Sequence, residues 1–67
     1  LKTKPCYENY AKLRDERQLS DQQVSRDIEI PASGLTRWKQ GSSYPKVDKL
    51  LKLAEYFGVN IEYFLKD

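Results

Sequence analysis

Ala32, Ser33, Thr36 and Arg37 lie close together in a stretch with no carboxylate between Glu29 and Asp48. Three of them are short and the fourth ends in a guanidinium. Arg37 can give two parallel hydrogen bonds to guanine O6 and N7. Ser33 and Thr36 can donate or accept, and the methyl of Ala32 or Thr36 can touch a thymine methyl. An acid in this stretch would face phosphates, and 18 consecutive residues contain none. Arg37, Lys39 and Lys46 supply positive charge there. This is a profile for entering a duplex groove. A solvated face of a small bundle would account for any one of these residues singly.

The elements that must carry these groups read as helices almost throughout. From about Cys6 to Arg17, Tyr10, Leu13 and Arg17 recur at helical steps, with Glu8 and Lys12 as an i,i+4 pair. Leu19-Ser20 breaks that pattern. Ser20 and Gln23 form S-x-x-Q, a capping box in which each side chain satisfies the other's orphan amide. A helix from about Asp21 to Ile28 follows, with Val24 and Ile28 inward and Ser25 small enough for close helix approach. Ile30-Pro31 sets the next boundary.

A third helix then spans about Ala32 to Gln40. Leu35 and Trp38 share its inner face, which turns Ala32, Ser33, Thr36 and Arg37 outward. Trp38 can be imagined as a stacking platform for single-stranded bases, but its register with Leu35 assigns it to the core. Gly41 suits the position after the helix, and "GSSYP" is a loop. In that loop Tyr44 either packs on its own loop or reaches a phosphate. Val47, Leu50, Leu51 and Ala54 make an amphipathic stripe, with Asp48 favouring the helix N-terminus. Phe57-Gly58 ends that helix. Asn60 caps a last turn or two, about Ile61 to Lys66, with Ile61, Phe64 and Leu65 inward.

The expected fold is therefore all-α, five short helices with no strand signal. The second and third sit a few residues apart, the spacing of a helix-turn-helix. With 67 residues the chain makes one domain: a fringe at 1–5 and the domain at 6–67. Leu1 in place of an initiator Met suggests a piece of a longer protein. No apolar run is long enough for a membrane span, and the N-terminus lacks a signal-peptide pattern. Cys6 is the sole cysteine and His is absent, so no disulfide, metal or cofactor is expected, and a reducing cytoplasm fits. Without His, a reactive Cys setting or a paired-carboxylate cleft, nothing points to an enzyme. The net charge of +2 is modest; the placement of charge matters more.

From Leu13 to Leu65, through "LRDERQLS", "GLTRWKQG", "YPKVDKLLKLAEYFGV" and "NIEYFL", the chain resembles the Cro/cI-type, or xenobiotic-response-element-type, helix-turn-helix domain. "ASGL" is similar to the opening of the recognition helix in lambda repressor. The resemblance implies a compact five-helix, lambda-repressor-like domain that binds operator DNA in the major groove, usually as a two-fold dimer on a palindrome. It implies base reading by Ala32, Ser33, Thr36 and Arg37. It implies phosphate contacts from Gln22 and Gln23 and from Gln40, Ser42, Ser43 and Lys46. It also implies a dimer contact near Ile61 and Tyr63, with Tyr63 on the outward side.

Four positions depart from the family pattern. Asp21 stands where a phosphate-facing Gln is common, so Gln22 must take over that contact. Glu29 stands where the turn usually holds Gly. The family's Arg–Glu pair falls here on Arg14 and Lys39, which repel, so Arg14 needs another acid. Ala32 replaces a long amide, leaving an apolar first contact. The resulting expectation is a sequence-specific double-stranded DNA-binding regulator of a prokaryote or phage, most simply a repressor, cytoplasmic and nucleoid-associated when bound. The rival readings are the antitoxin of a toxin–antitoxin pair and a protein-interaction module on the same fold.

Overall fold

The computed structural model describes residues 4–66. Residues 1–3 of the expected fringe, and Asp67 at the end of the expected domain, lie outside the described residues. Four α-helices follow one another: α1 (Tyr7–Glu16), α2 (Asp21–Ile28), α3 (Ala32–Gln40) and α4 (Val47–Phe57). A 3-10 helix at Ile61–Leu65 ends the fold. No strand occurs among the described residues.

The expected fifth α-helix is thus a 3-10 helix. Its opening bond runs from Tyr63 N to Asn60 O at 2.9 Å. The Asn9 amide takes the carbonyls of Tyr63 and Lys66 at 2.9 and 2.7 Å. Five residues whose late carbonyls are engaged from α1 gain little from an α-helical turn. Asn60 gives no side-chain cap, contrary to expectation.

All four α-helices stop in the same way. A left-handed residue follows each, and the next amide bonds back to the carbonyl five residues earlier. Gln18 (φ 56°), Glu29 (58°), Gly41 (80°) and Gly58 (68°) hold the left-handed positions. The closing bonds run from Leu19 N to Arg14 O, Ile30 N to Ser25 O, Ser42 N to Arg37 O and Val59 N to Ala54 O, at 2.9–3.2 Å. The α4 carbonyls have further help. Arg17 donates to Phe57 O at 2.7 Å and lies 5.3 Å from the Phe57 ring centroid. A cation there also suits the negative end of the helix dipole.

The buried face of α4 differs from the expected stripe. Leu50, Leu53, Ala54 and Phe57 are buried, whereas Val47 and Leu51 are 44% and 50% exposed. Both sets have i, i+3, i+4, i+7 spacing, displaced by three residues, a rotation of about 60°. The observed set includes Phe57, 2% exposed and edge-on to Tyr10 at 6.1 Å, so the rotation hides the larger ring. Val24, Leu35 and Phe64 are also fully buried. Ile28, Ile61 and Leu65, expected inward, pack half-buried on this core.

Candidate nucleic-acid interface

Trp38 fixes the roll of α3. Its indole is 3% exposed, stacks on Tyr10 at 5.3 Å and meets Tyr7 edge-on at 5.5 Å. Its Nε1 donates to Pro5 O at 3.0 Å. Pro5, the last residue of the expected fringe, is itself buried, and Cys6 N donates to Phe64 O at 2.6 Å. With Leu35 and Trp38 held inside, Ala32, Ser33, Thr36 and Arg37 are all exposed on the opposite side.

Each of the four offers different chemistry. Thr36 Oγ1 donates to Ala32 O at 3.2 Å, so an acceptor lone pair and a methyl remain to face outward. Ser33 is exposed, and its hydroxyl can donate or accept. Arg37 forms no ion pair among them, so its fork of donors is free. Ala32 offers a methyl.

Gln40 at the end of α3, and Ser42, Ser43 and Lys46 beyond it, continue the exposed surface. The Ser42 hydroxyl bonds the Arg37 carbonyl at 3.3 Å, which leaves its oxygen as an acceptor. The first turn of α2 is half a capping box. Ser20 Oγ accepts from Gln23 N at 3.1 Å, but the Gln23 amide reaches forward to Asp27 at 2.9 Å. Asp27 offers the Gln23 amide nitrogen a charged acceptor, and a side chain drawn forward to it does not turn its oxygen back to the Ser20 N–H. Gln22 is exposed, while Gln23 is half-buried and committed to Asp27.

Two departures from the family pattern find their explanation here. Arg14 pairs with Asp21 at 2.8 Å and with Asp15 at 2.9 Å. Asp21 in turn accepts from the Tyr10 hydroxyl at 2.7 Å and the Tyr7 hydroxyl at 3.1 Å. Burial opposes ionisation of Asp21, but the bonds from Arg14 and the tyrosines outweigh it and hold its carboxyl below the usual range. The same pairing raises Arg14. Sequence reasoning missed this network. Its one signal was Tyr7, Tyr10 and Arg14 at i, i+3, i+7 on one helix. Glu29 adopts the left-handed conformation that glycine serves at comparable turns.

Ile61 and Tyr63 are half-buried against the core, and the Tyr63 ring lies edge-on to Phe64 at 5.9 Å. Tyr44 is 44% exposed beside Pro31, Gly34 and Leu35, so it packs near the start of α3. A groove of about 430 Å³ lies elsewhere, between the end of α2 and α4, lined by Asp27, Glu29, Lys52 and Tyr56 among others. No group of metal-ligating side chains gathers among the described residues, and no helix there is long and apolar enough to cross a membrane.

Residues 7–67 match a family model described as a helix-turn-helix domain. The chain is also 24% identical over 58 residues to the HTH-type transcriptional activator BcrR of Enterococcus faecalis. That alignment covers 87% of this chain and 28% of the relative, so the chain spans little more than a quarter of that protein's length. No solved structure matches the chain.

Proposed function

Since the chain belongs to the helix-turn-helix domain family, we propose that it is the DNA-binding part of a transcriptional regulator, with α3 in the major groove. The observation that carries this is the face of α3. Its indole is locked inside while three short side chains and a guanidinium with no ion pair among the described residues stand outside, in a stretch with no acid between Glu29 and Asp48. Ala32, Ser33, Thr36 and Arg37 read base edges. Gln22 and Gln23 before them, and Gln40, Ser42, Ser43 and Lys46 after them, meet phosphates, with Gln22 better placed than Gln23 because its amide is uncommitted. The backbone N–H groups that a helix start leaves over after the Ser20 cap suit the same role.

The domain, 6–67, is of the lambda-repressor-like type and works in the cytoplasm. Its longest axis is 29 Å, less than the spacing of about 34–36 Å between half-sites one turn apart. One copy therefore reads one half-site, and a palindromic operator takes two copies, meeting near Ile61 and Tyr63. The related protein is named an activator. The same contact represses when the site overlaps a promoter, and repression by occlusion needs nothing beyond binding. A protein-binding role on this fold is favoured by one observation, the exposed Val47 and Leu51.

Selection from a random duplex pool, followed by titration of the chosen duplex across salt, tests the proposal. Enrichment of a two-fold site with a log–log salt slope of several units is expected, near −0.9 per phosphate neutralised. Recovery of no preferred sequence would reject base reading, and a flat slope would favour the protein-binding role.

A further inference from the structure

Asp21 opens α2, on the turn that the proposed reading brings up to a phosphate. A free carboxylate there would repel the duplex. Both of its oxygens are engaged by α1 instead. Oδ1 accepts from Arg14 Nη1 at 2.8 Å and from the Tyr10 hydroxyl at 2.7 Å, and Oδ2 accepts from the Tyr7 hydroxyl at 3.1 Å. Arg14 Nη1 also donates to the Tyr7 oxygen at 2.8 Å, which closes the group. Three of its four members share one face of α1. Tyr10 is fully buried and stacks on Trp38, the residue that sets the roll of α3. A continuous line of contacts thus runs from the first turn of α2, through α1, to the helix that carries Arg37.

We infer that Asp21 is a positioning residue for duplex reading: it holds the first turn of α2 and the outward face of α3 in fixed relation, and together with Asp15 it keeps the Arg14 guanidinium off the DNA backbone. The inference rests on the DNA-binding reading above. Tight binding to a chosen site needs both helices to meet it together. Binding to random duplex needs only positive charge. Asp21 therefore raises the ratio of the two affinities, although it is an acid on a DNA-binding surface.

The test is Asp21→Asn in the full chain, measured on the selected duplex and on a random duplex across salt. Affinity for the selected duplex should fall about tenfold, the usual scale for a charged hydrogen bond. Affinity for random duplex should hold or rise, with a salt slope steeper by up to about one unit as Arg14 is left with Asp15 as its one ion-pair partner among the described residues. Tighter binding to both duplexes would mean that the acid merely repels phosphate. Equal loss on both would mean a purely structural carboxylate. Either result overturns the inference, and so does no change.

Tyr10→Phe keeps the stacked ring and removes one donor to Asp21, so it decides the matter if Asp21→Asn does not fold. It should lower the selected-to-random ratio a few-fold, and an unchanged ratio overturns the inference. Failure of the parent reading looks different, since the unaltered chain would then select no duplex at all.

Discussion

Arg37 is the side chain whose loss should be felt at a single base pair. It is exposed and makes no ion pair among the described residues, so its removal leaves no buried group behind. In the proposed interface, Arg37→Ala should cost about 1–3 kcal/mol on the selected site and relax preference at one position. Lys46 is exposed too, but it precedes α4 and stands off the reading face. Lys46→Ala should weaken selected and random duplexes alike and shallow the salt slope by about one unit. If the two variants lost affinity in the same pattern, the division between base and phosphate contacts would fail. Glu29 makes a different point, about the backbone alone. At φ 58° a side chain costs roughly 1–2 kcal/mol, and glycine would give back part of that through its greater unfolded-state entropy. Glu29→Gly should therefore stabilise the fold by about 0.5–1 kcal/mol, seen as a Tm higher by a few degrees. A lower Tm would mean that the Glu29 side chain contributes more than its strain removes.

At the scale of elements, the helix ends decide what could be read in advance. Pro31 stands just before α3, where it disfavours helix in the residue ahead of it, and Gly41 stands just after it in the left-handed position, so its limits and its inner face were legible. The four helices share one kind of C-terminal stop, yet only two carry glycine there. Gln18 and Glu29 adopt the same backbone without announcing it. The face of α4 was misread because two stripes of identical spacing run along it, and only packing against Tyr10 selects the one with Phe57. The destination of Asp21 was illegible for a related reason: it depends on how α1 crosses α2, which no local pattern encodes. Ser20 was legible as an N-cap but not as half a capping box, since Asp27, the group that draws the Gln23 side chain away, lies a turn further on. Its contribution is still testable. Ser20→Ala removes the acceptor for Gln23 N and should cost about 1 kcal/mol. Urea unfolding should show a lower midpoint with an unchanged m-value; an unchanged midpoint would mean that water replaces the hydroxyl without loss.

At the scale of the whole molecule, α1 and the two residues before it tie the 3-10 segment and α3 together among the described residues. Asn9 holds the carbonyls of the 3-10 helix, Cys6 bonds Phe64, and Trp38 bonds Pro5. The charged group at Asp21 sits within this tie, so stability should respond to pH from both sides. A domain of this size keeps a net stability of only several kcal/mol. The Asp21 carboxyl is held below its usual value, and so is Asp27, through its bonds from Tyr56 and Gln23. Their contribution is complete above about pH 4, where an unfolded Asp is ionised, and is lost as pH falls through the lower folded values. The tyrosines act oppositely. Burial, then the bond to Asp21 and its charge, raises the Tyr10 phenol. Burial and the Asp21 charge raise Tyr7, and the bond to Asp27 raises Tyr56. Their contribution is complete below about pH 10, where an unfolded Tyr keeps its proton, and is lost as pH rises beyond that. Chemical unfolding across pH should therefore give a plateau with falling shoulders below about 4 and above about 10. Asp21→Asn should flatten the acid shoulder in part, Asp27 supplying the remainder, and Tyr10→Phe should flatten the alkaline one in part, Tyr7 and Tyr56 supplying its remainder. An acid shoulder that ran parallel in Asp21→Asn and the parent chain would show that the carboxylate is not held by Arg14 and the tyrosines, and the tie between α1, α2 and α3 would then rest on packing alone.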